Sequence, residues 1–398
     1  MAQTVAHPDR TARRADEGPG DADAIVNARR FNASENHPVS ATAALCPILG
    51  VTRSRVRTPR RACTVLTIVF LLGGPALAAA GHAAGCTVQR AGELQVTMNG
   101  TRPLVHAGIN GKDAIFVADT GASYSTLNSS VARDFKLDLE PAPVWFAASG
   151  VAGEAHTMIT QAKIFNIFGL NIPRIDFVVV DRATEPGLTG LLGQNVFRLG
   201  DMEFDLAHSV IRLLQTHECG SNDVLAYWAA AESKPFSVID IDAQTRESPQ
   251  VHGDAYINGV KVRVLFDTGA YRSFVTLKAA ERVGVTPSSL GATAAGRFVG
   301  IGGGGGDEWI APFASFKIGD EEIRNTRLRI GGIKLTDTEM ILGADFFLSH
   351  HVLVATSQKK LYFTYNGGKV FDLSPVTPNA PAAAAPASQP GAEQAAAH

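Results

Sequence analysis

Residues 109–125 read INGKDAIFVADTGASYS, and residues 257–273 read INGVKVRVLFDTGAYRS. Aligned without a gap, eight of these 17 pairs are identical: Ile, Asn, Gly, Asp, Thr, Gly, Ala and Ser. An internal repeat of this kind outranks any single-element reading, because it sets the architecture before secondary structure is considered. Asn110-Gly111 and Asn258-Gly259 are strong hairpin dipeptides, since a tight two-residue turn needs positive φ and these residues tolerate it. Each lies nine residues before the Asp of its copy. Between turn and Asp, KDAIFVA and VKVRVLF suit strands, the second by alternation of apolar and polar residues.

The likeness continues at matched distances. Leu191-Leu192-Gly193 places its Gly 74 residues after Asp119, and Ile341-Leu342-Gly343 places its Gly 76 residues after Asp267. Between these signatures each copy has a short helical stretch (127–135, then 277–283), a Gly-rich hairpin candidate and further short strands. The expected fold is mainly β: two homologous lobes, residues 95–214 and 251–370, joined by a linker at 215–250. Two copies of one lobe tend to pack about a pseudo-twofold axis, which brings equivalent positions face to face. The equivalents that matter are Asp119 and Asp267.

A carboxylate facing another carboxylate cannot ionise freely, so such a pair holds one proton. One member can take a proton from water while the other gives one to a carbonyl oxygen, which is general acid–base hydrolysis of an amide. Thr120 and Thr268 offer hydroxyls that tie the two loops across the axis. Gly121 and Gly269 let the backbone turn tightly and approach a partner. A lone Asp-Thr-Gly is usually a turn; its duplication at matched spacing is what makes Asp119 and Asp267 candidate catalytic residues.

On these residues the chain resembles the retropepsin-like aspartic proteases, specifically the single-chain, two-lobed bacterial type of the pepsin/retropepsin clan. The resemblance spans about residues 95–365. It rests on Asp119-Thr120-Gly121-Ala122 with Leu191-Leu192-Gly193, and on Asp267-Thr268-Gly269-Ala270 with Ile341-Leu342-Gly343. It implies two β-barrel lobes, an aspartic endopeptidase with no cofactor or metal, a polypeptide substrate, and a dyad supported by Thr120, Gly121, Thr268 and Gly269. Hairpin flaps are implied at 145–158, with Gly150 and Gly153, and at 297–309, with Gly300 and Gly302. The pattern departs from pepsin-like lobes at Ala122 and Ala270, where a Ser or Thr usually follows the Gly. Lobe two also carries the bulky Tyr271-Arg272 after its motif, which either shapes the cleft or distorts it. Both halves lie in one chain, so a homo-oligomer is not required. A peptide-binding or regulatory module on the same fold is the alternative from another functional class.

The flanks read differently from the repeat. Up to Arg61 the chain holds 10 Arg, 6 acidic residues and no Lys, and no acid occurs between Glu35 and Glu93. The apolar run 64–80 then follows a basic cluster, and Ala76-Leu77-Ala78 and Ala78-Ala79-Ala80 suit small-residue cleavage. Residues 63–85 therefore read as a signal peptide or membrane anchor. This implies an exported, periplasmic or secreted protein, in contact with a membrane only if the segment stays uncleaved. Residues 1–62 are either a mis-assigned start or a disordered tail, because a secretory signal totals roughly 15–30 residues. Cys86 and Cys219 are the two cysteines beyond this segment, candidates for a disulfide in an oxidising compartment. Residues 374–398, mostly Ala and Pro, read as a disordered tail.

Other chemistries are excluded. Whole-chain formal charge is −2, so there is no basic field for nucleic acid. The run 300–305 matches G-x-G-x-x-G formally but is followed by DEWIAP and lacks a βαβ setting. The eleven His lack H-E-x-x-H spacing, so no zinc site is read, and His350-His351 is solvated or packed rather than metal-binding. No G-x-S-x-G elbow occurs.

Overall fold

The computed structural model describes residues 85–142, 148–150, 153–155, 158–180, 187–299, 305–333, 335 and 337–374. The expected N-terminal segment 1–62, the expected export segment except for Gly85, the Ala/Pro tail beyond Ser374, and Gly300 and Gly302 lie outside the described residues. Among the described residues no helix is long and apolar enough to cross a membrane.

The two hairpins of the repeat form as their dipeptides dictate. Asn110 and Gly111 take φ of 50° and 82°, and Asn258 and Gly259 take 50° and 76°. They join strand Arg102–Ile109 to Lys112–Ala118, and His252–Ile257 to Val260–Phe266. Alternation along VKVRVLF buries Val262, Val264 and Phe266 and turns the residues between them outward. The buried face of each strand feeds one hydrophobic core that runs through both lobes. Phe116, Phe165 and Phe177 interlock in lobe one, with ring centroids 5.4–6.0 Å apart.

Each lobe then repeats one unusual element. The strand leading to the Asp pairs in parallel with the strand of the apolar-apolar-Gly signature: Lys112–Ala118 with Gly190–Leu192, and Val260–Phe266 with Met340–Leu342. The signature strand in turn pairs antiparallel with Thr126–Asn128 or Phe274–Thr276, which leaves each Asp loop. The Asp loop is thus threaded over a buried strand that holds it from below.

The lobes are joined by more than a linker. Six strands form one continuous antiparallel sheet between them, three from each half: Thr87–Asn99, Val210–His217 and Asp201–Asp205, then His350–Ala355, Lys360–Tyr365 and Ser237–Asp240. The halves meet where Phe204 lies opposite Val352 and Met202 opposite Val354. Segment 215–250, expected as a linker, contains the helix Tyr227–Glu232 and the strand Ser237–Asp240. Lobe one likewise starts earlier than residue 95, with Thr87 paired to His217. The repeat is therefore longer than its sequence reveals, because Thr87–Asn99 and Ser237–Asp240 occupy equivalent edges through backbone pairing alone.

The helix Tyr227–Glu232 covers the outer face of this sheet. Trp228 stacks on His351 at 4.0 Å, and its indole N–H donates to Thr364. Beneath it Glu203, fully buried, accepts from His351 Nε2 at 2.9 Å, from the Tyr227 hydroxyl and from Arg212. Burial alone would raise the Glu203 carboxyl, yet those hydrogen bonds and charges hold it below its ordinary value. His350 is also buried, stacked on Phe346. The His pair is thus packed, not solvated. Cys86 and Cys219 form a disulfide beside Thr87↔His217, at the edge of the same sheet.

That disulfide closes a loop whose ends the strand pairing already holds. Replacing both cysteines by Ser should therefore leave the protein folded but less stable, by about 2–4 kcal/mol. Urea unfolding of the two forms checks this, and an unchanged midpoint would contradict it.

Candidate active site

Asp119 and Asp267 each follow directly on a strand, and each backbone N–H donates to the signature strand, Asp119 to Leu192 O and Asp267 to Leu342 O, both at 2.9 Å. Each side chain is held by its own loop. Asp119 Oδ1 accepts from the N–H groups of Gly121 and Ala122, both at 3.0 Å. Asp267 Oδ1 accepts from Gly269 and Ala270 at 2.9 and 3.1 Å. Two backbone donors on one carboxyl oxygen fix its rotamer and leave the other oxygen to face across the axis.

The motif glycines follow from this closeness. A Cβ on Gly121 would lie 2.3 Å from Asp267 Cγ, and one on Gly269 would lie 2.3 Å from Asp119 Cγ. No side chain fits, so each loop presents bare backbone to the carboxyl opposite. One turn deeper, a Cβ on Gly193 or Gly343 would lie 2.5 Å from the backbone of Tyr124 or Arg272. The signature glycine lets the supporting strand touch the loop it supports.

The threonines point away from the carboxyls and lock the loops together. Thr120 Oγ1 donates to Phe266 O at 2.8 Å and accepts from Thr268 N–H at 2.9 Å. Thr268 Oγ1 donates to Ala118 O at 2.7 Å and accepts from Thr120 N–H at 3.1 Å. Both side chains are buried. Both hydroxyls and both backbone N–H groups are satisfied in the other lobe, so the interaction is reciprocal and buried.

Electrostatics follow from this geometry. Asp119 is pushed well above the usual carboxylate range, first by burial and then by the charge of Asp267 opposite. Asp267 is raised too, again by burial, but hydrogen bonds from Asp119, Gly269, Ala270 and Gly121 oppose the rise. Both carboxyls are thus pushed in the same direction, and their titration belongs to the pair rather than to either residue.

A second pair of residues supports the loops and was not singled out from the sequence. Ser125 Oγ accepts from Gly193 N–H at 2.9 Å and donates to Asn195 Oδ1 at 2.8 Å. Ser273 Oγ accepts from Gly343 N–H at 3.0 Å and donates to Asp345 Oδ1 at 2.7 Å. The signal was present: this Ser is the eighth identity of the repeat, and Asn195 and Asp345 follow the signature glycines by two residues. In lobe one Gln194 adds a further tie, its amide donating to Thr120 O at 2.6 Å.

The bulky Tyr271-Arg272 does not distort lobe two, whose Asp carries the same two loop hydrogen bonds as its counterpart. Arg102 lies over the Tyr271 ring at 4.9 Å, and Arg272 pairs with Asp372 at 2.9 Å. The equivalent of the Arg102–Tyr271 contact is Gln250 donating to Ser123 Oγ at 2.7 Å. In lobe one Gly150 and Gly153 face each other at the end of a small hairpin, Ala148–Gly150 with Gly153–Ala155. In lobe two the expected flap lies on strands Thr293–Val299 and Gly305–Ile318, paired up to Val299↔Gly305. Among the described residues no cluster of His, Cys, Asp and Glu is arranged to hold a metal ion.

Comparison with known proteins gives an independent result for each half. Residues 105–196 match a family model described as "Aspartyl protease", and residues 253–349 match one described as "gag-polyprotein putative aspartyl protease". No curated protein matches the chain. Among solved structures it is similar to an aspartic proteinase from Irpex lacteus, with 13% identity, a TM-score of 0.43, and coverage of 70% of this chain and 97% of that one.

The reciprocal threonine contact carries a stability consequence. Thr120→Val and Thr268→Val each strand two buried backbone partners in the opposite lobe, which costs about 2–4 kcal/mol. The two hydroxyls make different bonds within one loop-to-loop contact, so losing either loosens the other, and the double variant should lose less than the sum. A double-mutant cycle from denaturant midpoints measures this, and additive losses would contradict the shared lock.

Proposed function

The chain belongs to the retropepsin-like aspartic protease family, and from that premise we propose that it is an endopeptidase in which Asp119 and Asp267 activate water on a peptide bond. The observation that carries this reading is the mutual approach of the two carboxyls across glycines that tolerate no side chain. Two acids so placed, with one proton between them, are the minimum apparatus for hydrolysis without a covalent intermediate. The aspartic proteases are the standard case of a proton-sharing dyad.

The steps balance within the pair. Ionised Asp267 takes a proton from water as the oxygen attacks the carbonyl carbon, and Asp119 gives its proton to the carbonyl oxygen, forming a tetrahedral diol. Asp267 then protonates the nitrogen, the C–N bond breaks, and a diol proton returns to Asp119. The dyad ends as it began, so no cofactor is consumed. Loop N–H groups on each Oδ1 stabilise whichever carboxylate is charged at a given step. The buried threonine lock keeps the carboxyl spacing fixed while protons move, which is the preorganisation such catalysis requires.

Export to an oxidising compartment is part of the proposal. It is supported by the Cys86–Cys219 disulfide and by the basic-then-apolar leader.

Two outcomes follow. With a mixed peptide library scanned from pH 3 to 8, the parent should cut, and Asp119→Asn and Asp267→Asn should each lose at least about 10³-fold in kcat/KM. The maximum should lie above about pH 3, because Ala122 and Ala270 offer no hydroxyl to favour the ionised dyad. A folded parent inert across the range would favour a peptide-binding module instead, and survival of either variant would sink the two-Asp mechanism.

The second outcome concerns stability. A carboxyl whose folded-state pKa lies above its unfolded value favours folding when protonated. That contribution is complete below the ordinary value of 3.8 and is lost as pH rises through the raised one. Asp119→Asn removes the like-charge conflict, so the variant should be more stable than the parent at neutral pH, by at least about 1 kcal/mol. The gap should close as pH falls toward 4. Urea midpoints of the two proteins at pH 7 and pH 4 test the sign.

A further inference from the structure

The two lobes support their Asp loops with different residues, and the difference has a structural cause. In lobe one Asn195 Oδ1 accepts from both Ser125 N–H and Ser125 Oγ, at 2.7 and 2.8 Å, while its Nδ2 donates to Asp176 O at 3.0 Å. In lobe two Asp345 Oδ1 accepts from Ser273 N–H and Oγ, at 2.8 and 2.7 Å, and its Oδ2 accepts from Asp372 N–H at 3.0 Å. The outer partner is a carbonyl in one lobe and an N–H in the other. Position 195 therefore needs a donor and position 345 needs a pure acceptor, which an amide and a carboxylate supply respectively.

The N–H that meets Asp345 comes from the last described segment of the chain. Phe371 is buried and packs edge-on against Phe316, ring centroids 5.1 Å apart. The Asp372 carboxylate takes Arg272 Nε at 2.9 Å, five residues beyond Asp267. The Asp372 carbonyl takes Arg329 Nε at 3.2 Å, and Arg329 also donates to Ser374 O. Arg329 Nη1 in turn pairs with Glu308 at 2.5 Å, both side chains almost wholly buried. Glu308 lies on strand Gly305–Ile318, opposite Gly296 of the partner strand. One short segment thus touches the Asp267 loop through Arg272, its supporting serine through Asp345, and the base of the lobe-two strand pair through Arg329. Lobe one has its corresponding bond within the lobe, to Asp176 on strand Leu170–Val180.

We propose that residues Phe371–Ser374 are a strap that positions the Asp267 loop, and that Asp345 is the positioning residue through which the strap acts. Lobe two is then competent only when this segment is docked, whereas lobe one is self-sufficient. The activity part of this proposal rests on the peptidase reading; the strap itself does not.

The test uses the full chain, Asp345→Asn, chains ended after Ser374 and after Val370, and Asp345→Asn combined with the shorter end. Asparagine at 345 keeps the Ser273 bonds through its oxygen but sets an N–H₂ against the Asp372 N–H. Ending after Ser374 should leave kcat within about twofold of the parent. Ending after Val370, and Asp345→Asn alone, should each lower kcat about tenfold or more with KM within about threefold. Combined, they should lose no more than the larger single effect, because both remove one interaction. Losses that multiply, or Asp345→Asn within twofold of the parent, would overturn the strap. Hydrogen exchange gives a readout free of activity. Amides of Gly269, Ala270, Ser273 and Gly343 should exchange faster when the strap is lost, while Gly121, Ala122, Ser125 and Gly193 stay as in the parent. Equal change in both sets would overturn the proposal. Should Asp345→Asn fail to fold, Asp372→Asn, which removes the charge facing Arg272, must speed exchange in the first set alone. A parent that cuts no peptide would refute the peptidase reading and leave the exchange result to decide the strap.

Discussion

Thr120 and Thr268 exchange hydrogen bonds across the pseudo-twofold axis, and the other features of the site follow from that exchange. Each hydroxyl donates to a carbonyl of the opposite lobe and accepts from an N–H of the opposite lobe. The contact can form only if the two loops approach to hydrogen-bond distance, and at that distance the residues after the threonines must lack a Cβ. It also brings two carboxyls together in a buried site, where both are held above the ordinary carboxylate range. Architecture, composition of the motif and the raised pKa of both carboxyls thus share one geometric origin. The six-stranded sheet beneath enforces the same axis from below, pairing Asp201–Asp205 with His350–Ala355.

What could be read from the sequence was what the duplication marked. The hairpin turns at Asn110-Gly111 and Asn258-Gly259, the strands leading to each Asp and the supporting apolar strands all appear where the motif spacing puts them. Each depends on local residue chemistry that both copies retained. The interlobe sheet was not legible, because TVQRAGELQV and SVID share no pattern; their equivalence lies in backbone pairing, which any extended segment can supply. Segment 215–250 therefore read as a linker, although it holds a helix and an edge strand. Ser125 and Ser273 were visible as an identity, but their role needs the distance to residues 70 and 72 positions away, which sequence does not carry.

Symmetry also has limits that matter for function. The lobes present the same carboxyls with the same two loop donors, yet their surroundings differ. Lobe one uses Gln194 and Asn195, amides with both donor and acceptor. Lobe two uses Ala344 and the acceptor-only Asp345, whose carboxyl burial pushes upward despite the hydrogen bonds it receives. At the rim, Arg102 with Tyr271 replaces the Gln250–Ser123 contact of the other side. A shared proton does not need such inequality, but unequal settings bias which carboxyl holds it. Both Asp119 and Asp267 are raised above the ordinary carboxylate range, chiefly by burial, and they titrate as a pair.

The central claim is that the paired carboxyls deliver water to a peptide carbonyl with no covalent intermediate. Its most direct measurement is cleavage of a defined peptide in H₂¹⁸O, with the mass of both product and protein read within the first turnover. One ¹⁸O atom is expected in the newly formed carboxylate, with no added mass on the protein and no cleavage by Asp119→Asn or Asp267→Asn. A peptidyl adduct on the chain, or cleavage that persists when either aspartate is replaced, would contradict it.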